Sequence, residues 1–277
     1  MKRGWGAALA VVLAASGAGC GSPGTSDFAK SVRVDAHTRL WLACSGSGPV
    51  VLADSGLGIP TQAWAKVRAN VRNVRFCAFD RAGVGRSDAR PCRCGSLSRN
   101  VRDIHALIRA AKLKRPIVLA GHSLGGLDSL LYVRRYPSDV SGLVLVDSPS
   151  ESAPIPLGGK LVDQITDLDL APDLRALKEP GKLGDLPMIV MSHGRRTYSS
   201  SSAERSWTKM QHELLADSSN TLHLVALGSR HVIQVDQPRL VARAIDEAGS
   251  SFADGGRLRC VPAYAVERGR CSGGGSP

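Results

Sequence analysis

The stretch Pro116-Ile-Val-Leu-Ala-Gly-His-Ser-Leu-Gly-Gly126 decides how this chain is read. Its first half is short, apolar and β-branched, the pattern of a buried strand. Its second half holds Gly121-His122-Ser123-Leu124-Gly125, a G-x-S-x-G motif. Leu124–Arg135 follows with helical spacing. Strand, tight turn and helix together make the setting in which a serine hydroxyl is lifted above a sheet edge. Glycines flank the serine because side chains there would meet the neighbouring strand and helix.

Outward from this turn, strand and helix patterns alternate. Ser31–Ala36 and Thr38–Ser45 read as an opening hairpin, followed by strands over Pro49–Ser55 and Val74–Asp80. Gln62–Val71 reads as a helix with Trp64 on its buried face. Ser98–Leu113 places Val101, Ile104, Ile108 and Ala111 on one helical face. Further strands fall at Gly142–Asp147, Met188–Ser192 and Thr221–Leu227, with helices at Glu204–Ala216 and Pro238–Ala248. Asp236 suits a cap for the last of these. The order predicts an α/β protein: a mostly parallel, eight-stranded sheet with helices on both faces. Residues 148–186 break the pattern with Pro154, Pro156, Pro172 and Pro180, and are expected to form a short lid after the sixth strand.

The N-terminus predicts export. Lys2-Arg3 precedes an apolar run over Trp5–Ala15, then small residues and Cys20. The run is short for a membrane span and has the layout of a secretory signal. Small residues ending in cysteine resemble a lipobox, which makes Cys20 a candidate lipidation site and mature N-terminus. Gly17 stands where leucine is usual, so an ordinary cleaved signal is the alternative. The expected organisation is a signal peptide over 1–19, a flexible tether over 20–30 and an α/β domain over 31–252. A cysteine-containing tail covers 253–277. The remaining Cys44, Cys77, Cys92, Cys94, Cys260 and Cys271 form an even set, as in disulfide-bonded exported proteins. Cys92-Arg-Cys94 lacks a zinc spacing.

The formal charge is +12, mostly from scattered arginines, with 4% aromatic residues. No run of five basic residues occurs, which argues against a nucleic-acid surface. Nothing points to a metal, nucleotide or flavin cofactor. The partners expected are a small acyl substrate and, through Cys20, the membrane.

Four landmarks carry a resemblance to the α/β-hydrolase fold over about residues 32–250. They are Ser55-Gly-Leu-Gly58, Asp80-Arg-Ala-Gly-Val-Gly-Arg-Ser87, the Gly121–Gly126 turn, and Ser229-Arg-His231 before the last helix. Members usually carry His-Gly where Ser55-Gly56 stands, and glycine where Arg230 stands. The resemblance implies neighbouring second and fourth strands, hence a Cys44–Cys77 bond, with Cys260–Cys271 next. A bond between Cys92 and Cys94 is strained, which leaves one or both to reach the tail.

A serine hydroxyl needs a base, and the base needs a group to orient it. Ser123 is the expected nucleophile. His231, in the loop after the eighth strand, is the expected base, with His193 its rival. The fold's usual place for the acid, after the seventh strand, holds Met191-Ser-His-Gly-Arg-Arg-Thr197 and no carboxylate. Asp147, at the end of the sixth strand, is therefore favoured, followed by Glu204 and then Glu151. A serine–histidine dyad supported by water is a further option. The backbone N–H groups of Leu57 and Leu124 are expected to form the oxyanion hole. Asp80 and Arg81 read as structural. The expected activity is cleavage of carboxylic esters or related acyl bonds through an acyl-enzyme. The serine argues against dehalogenase or epoxide hydrolase chemistry, which uses aspartate at that point. A peptidase of the same fold, or a non-catalytic binding lipoprotein, are the alternatives.

Overall fold

The structure is a computed structural model that describes residues 27–90, 95–150, 152, 173, 177, 183–253 and 256–273. The signal peptide, Cys20, Cys92, Cys94, Glu151 and nearly all of the expected lid lie outside the described residues.

Nine strands form one sheet in the order β1-β2-β4-β3-β5-β6-β7-β8-β9. They are β1 Phe28–Arg33, β2 Arg39–Ser45, β3 Val50–Asp54, β4 Arg75–Phe79, β5 Ile117–His122, β6 Val140–Val146, β7 Met188–His193, β8 Thr221–Ala226 and β9 Gly269–Gly273. The pairings among β4, β3, β5, β6, β7 and β8 are parallel; β1, β2 and β9 join antiparallel. The eight expected strands are present. The tail adds the ninth, joined to β8 in a register that opposes Leu224 and Cys271.

Burial follows position in the sheet. The central strands β3, β5 and β6 are buried at every residue, as strands covered on both faces must be. The flanking β2 and β8 alternate. On one face Leu52, Leu119, Leu145 and Val190 pack with Val101, Ile104 and Ile108 of α2 (Leu97–Ala110) and Leu127, Leu130 and Leu131 of α3 (Leu124–Arg135). On the other, Val51, Val118, Val144 and Ile189 pack with Val67 of α1 (Ala65–Arg68). The remaining helices are α4 Ser201–Leu214, α5 Ile233–Asp236, α6 Pro238–Ala253 and α7 Pro262–Val266. Leu240, Val241 and Ile245 of α6 complete the second core.

The helix expected over Gln62–Val71 is shorter: a 3-10 turn over Thr61–Trp64 leads into the four-residue α1. Trp64 is buried as expected. Ser96 and Ser200 cap α2 and α4 by accepting from the N–H groups of Arg99 and Ala203. Asp236 does not serve as the expected cap for α6. It ends α5 and accepts from Ser229 Oγ at 3.0 Å and the Arg230 N–H at 3.1 Å, so it ties down the loop that carries His231.

Disulfides join Cys44 to Cys77 and Cys260 to Cys271. The first links residues directly opposite in β2 and β4. The second fastens β9 to the segment before α7. Both fit an oxidising compartment. No helix among the described residues is long and apolar enough to cross a membrane.

Candidate active site

The carboxyl ends of the parallel strands gather the predicted residues at one edge of the sheet, where ligands bind in open α/β folds. Ser123 follows β5 directly. Its backbone takes φ 51° and ψ −117°, a sparsely populated region that persists only where its surroundings enforce it. The constraint is close packing. A Cβ at Gly121 would lie 2.3 Å from the Gly125 carbonyl oxygen, and one at Gly125 would lie 2.6 Å from that of Asp54. The Ser123 N–H donates to the Val146 carbonyl at 3.1 Å, which ties the turn to β6. Leu124 begins α3, so its N–H lies outside the intrahelical bonds and is free for a ligand.

Asp147 leaves β6 at φ 47° and is wholly buried. Its N–H donates to the Met191 carbonyl at 2.7 Å, fixing it against β7. His231 Nδ1 lies 2.7 Å from Asp147 Oδ2. Three further donors reach the same carboxylate: His193 Nδ1 at 2.8 Å on Oδ2, and Trp207 Nε1 at 3.0 Å and the His193 N–H at 3.2 Å, both on Oδ1. Burial works against the charge. The hydrogen bonds from His193 and His231 outweigh it and hold Asp147 down at about 2. His231 stays partly open, with 24% of its side chain exposed.

His193 does not approach Ser123 as a rival base. Its ring turns to Asp147, and its Nε2 meets Glu204 Oε1 at 2.6 Å. Glu204 also accepts the N–H groups of Tyr198 at 2.9 Å and Thr197 at 3.2 Å. Glu204 therefore touches the site through His193, while Asp147 meets His231 directly.

The other wall is built on Arg81. Its guanidinium donates to the Asp54 carboxylate and to the carbonyls of Ser55 and Gly56. These bonds fix the turn that leads into Leu57. Asp128 of α3 lies 3.8 Å away and accepts from Asn100 Nδ2 at 3.0 and 3.1 Å. Burial pushes Asp128 well above the usual carboxylate range, and the Asp54 charge adds to it. Asp80 accepts the Thr61 N–H at 2.7 Å and the Arg86 N–H at 2.9 Å. Ser55, where relatives of this fold usually carry histidine, accepts the Trp64 indole N–H at 3.0 Å.

Residues 67–219, more than half of the chain, match the family described as "Serine aminopeptidase, S33". The chain belongs to this family of α/β-hydrolases. The uncharacterized protein YqjL of Bacillus subtilis is 26% identical to it over 211 residues, 72% of this chain and 83% of YqjL. Among solved structures, a thermophilic esterase from Thermogutta terrifontis superposes with a TM-score of 0.62 at 18% identity, covering 81% of this chain and 99% of the esterase. The haloalkane dehalogenase DatA of Agrobacterium tumefaciens does so with a TM-score of 0.62 at 14% identity, covering 82% and 98%. An esterase and a dehalogenase that fit equally well show the fold alone, so the chemistry of this hydrolase rests on its own residues.

One contact to the His231 loop is not legible in the sequence. His122 Nε2 lies 3.0 Å from the backbone carbonyl of His231 and must donate to it. Burial, then the positive potential of His231, lowers His122 to about 3, so the ring is neutral. Its Nδ1 meets no partner among the described residues and faces Gly56, where a Cβ would lie 2.8 Å away. The signal was present as the x of G-x-S-x-G, a position the motif leaves free. The Trp207 bond to Asp147 was likewise hidden, because a tryptophan on an amphipathic helix reads as core. Among the described residues no group of His, Cys, Asp and Glu is arranged to hold a metal ion.

Proposed function

We propose that this protein is an exported serine hydrolase that cleaves carboxylic esters or related acyl bonds through Ser123, His231 and Asp147. The observation that carries the reading is the 2.7 Å contact between His231 Nδ1 and Asp147, beside a serine held in a strained turn. In that arrangement Asp147 fixes the His231 tautomer with Nε2 free to accept. Ser123 Oγ attacks the acyl carbonyl while its proton passes to His231 Nε2. The tetrahedral oxyanion is received by the N–H groups of Leu57 and Leu124. His231 then gives the proton to the leaving alcohol, and water resolves the acyl-enzyme by the same steps in reverse. Each oxyanion donor supplies about 2.7–4 kcal/mol to the transition state.

The location is part of the proposal. Cys20 carries the lipid anchor, and the residues between it and β1, which begins at Phe28 rather than after the expected 20–30 tether, space the domain from the membrane. The two disulfides support export. Cys20→Ser is expected to release the protein from the membrane fraction and abolish palmitate incorporation; retention in that fraction would remove the anchor from the proposal.

The family's description names a peptidase, so an amide substrate is the second reading. A panel of p-nitrophenyl esters of rising acyl length, run beside aminoacyl p-nitroanilides, separates the two. The ester reading expects turnover of the esters and roughly 100-fold or more weaker turnover of the anilides, on the order of the discrimination an apolar pocket reaches between near-isosteric substrates. A fluorophosphonate probe tests the nucleophile: wild-type protein is labelled and Ser123→Ala is not. Equal labelling of both would leave a binding lipoprotein on a hydrolase scaffold.

A further inference from the structure

His193 and Glu204 are not needed to complete the triad, yet both are locked to it. The resemblance places the acid of most α/β-hydrolases just after the seventh strand. Here His193 ends β7 instead and turns back toward β6. Its Nδ1 lies 2.9 and 2.8 Å from the two oxygens of Asp147, and its Nε2 lies 2.6 Å from Glu204 Oε1. Only 5% of its side chain is exposed.

These contacts define its charge. An ionised carboxylate only accepts, and a neutral imidazole has a single N–H. With a carboxylate on each nitrogen, both nitrogens must donate. Asp147 is held ionised by its four donors. Glu204 is held below the usual range, because N–H bonds from Tyr198 and Thr197 and the His193 contact outweigh its burial. For His193, burial opposes the charge, but the bonds to Asp147 and Glu204 raise it above the ordinary histidine value. The groups that face its ring are Asp147 from the end of β6, Glu204 from α4 and Tyr198 from the loop between β7 and α4. Burial pushes the Tyr198 phenol up, so it stays neutral. His231 lies beyond, across Asp147.

We propose that His193 is a protonated positioning residue, clamped between Asp147 and Glu204, that sets the proton affinity of His231. The proposal rests on the triad reading for its effect on turnover but not for the charge of His193. The logic is a count of charges. Asp147 and His193 alone would cancel and leave nothing to stabilise a His231 imidazolium. Glu204 restores a net charge of −1 beside His231. The clamp also holds both carboxylate oxygens in place, so the Asp147–His231 bond is preset before substrate arrives.

Two measurements decide it. The first is NMR of histidine ring nitrogens in 15N-labelled full-length protein, with His193→Gln to assign the signals. His193 is expected to show two ring N–H signals at pH 7.5 and to titrate above about 6.5, the ordinary histidine value. Glu204→Gln should lower that titration, because it removes one of the two carboxylates that hold the proton. A single ring N–H at pH 7.5 overturns the proposal, whatever the activity of the protein. The second is the pH profile of kcat/KM for an ester, normalised to sites titrated with fluorophosphonate. His193→Gln removes a cation beside Asp147 and raises the proton affinity of His231. The acid limb is then expected to move up by on the order of one pH unit, with kcat lower by roughly tenfold. A merely structural role would reduce the number of active sites and leave the limb in place, and an unmoved limb overturns the proposal. If wild-type protein neither labels nor turns over ester, the triad reading fails, and the NMR signals still decide the state of His193.

Discussion

Buried charge flanks Ser123 on two sides, and the two sides are built differently. On the β3–β4 side it is grouped around an arginine, with Arg81 between Asp54 and Asp128 and bonded to the turn that carries Leu57. On the β6–β7 side it is grouped around histidines, with Asp147 shared by His193 and His231. Arginine does not titrate in proteins, so the cation at the centre of the first group keeps its charge at any working pH. Histidine titrates near neutrality, so the second can take up and release a proton. The division matches the two tasks proposed for these sides. A fixed donor array must not change as charge develops on a substrate, whereas a base must.

The comparison can be broken most severely at Asp147. Asp147→Asn leaves the packing nearly intact but removes the acceptor that fixes His231. A fall in kcat on the order of 10⁴ is expected in ester turnover. If Asp147→Asn costs less than tenfold and Glu204→Gln abolishes activity, the orienting acid is Glu204. On the other side, Arg81→Met strands the Asp54 carboxylate in the core. That should cost about 3–5 kcal/mol in urea unfolding, while the 15N signals of His193 and His231 keep their wild-type pattern in the folded variant. A loss below about 1 kcal/mol would show that the arginine side is not held by its charge.

The histidine side should also reveal itself through pH. Asp147 sits at about 2 when folded, below about 3.9 for an unfolded aspartate. Its ionised form therefore adds stability above pH 4, and that stability is lost as pH falls through 4 toward 2, by roughly 2–3 kcal/mol. His193 has the opposite sign. Its value is raised on folding, so its contribution is full below about 6.5 and is lost as pH rises through the folded value. Thermal melts of wild type, Asp147→Asn and His193→Gln from pH 3 to 10 should show both slopes, and parallel curves would contradict the assignment. The mildest test joins the two sides. Gly56 accepts from Arg81 and abuts His122, which holds the His231 carbonyl. Gly56→Ala must push the His122 ring. A loss of about 1–2 kcal/mol is expected, with a fall in kcat larger than the fall in stability explains. An unchanged kcat would mean that the two sides act independently.

Much of this architecture is legible in the sequence because it depends on local pattern. The apolar runs at Val50–Asp54, Ile117–His122 and Val140–Val146 are buried at every position, and such strands announce themselves by composition. Elimination, from a missing carboxylate after β7, favours Asp147, which the structure sets 2.7 Å from His231 Nδ1. His193 and Glu204 were read as competitors for the roles of base and acid. A one-dimensional order cannot show that the end of β7 turns back on the end of β6 and makes partners of them. β9 was missed for a different reason. Arg270, Ser272 and Gly273 carry no apolar alternation, and what holds the strand is a covalent bond and the edge of β8.

That ninth strand bears on how the molecule behaves among its own kind. Without it, β8 would present a row of unpaired backbone groups, with Leu222, Leu224 and Ala226 along one side of it. An open edge of that kind invites other chains to add to it. β9 occupies the edge and ends the sheet with Arg270 and two glycines, a poor template for further pairing. Its clasp, Cys260–Cys271, exists only where thiols are oxidised. Protein made under reducing conditions is therefore expected to hold β9 less firmly and to self-associate through β8.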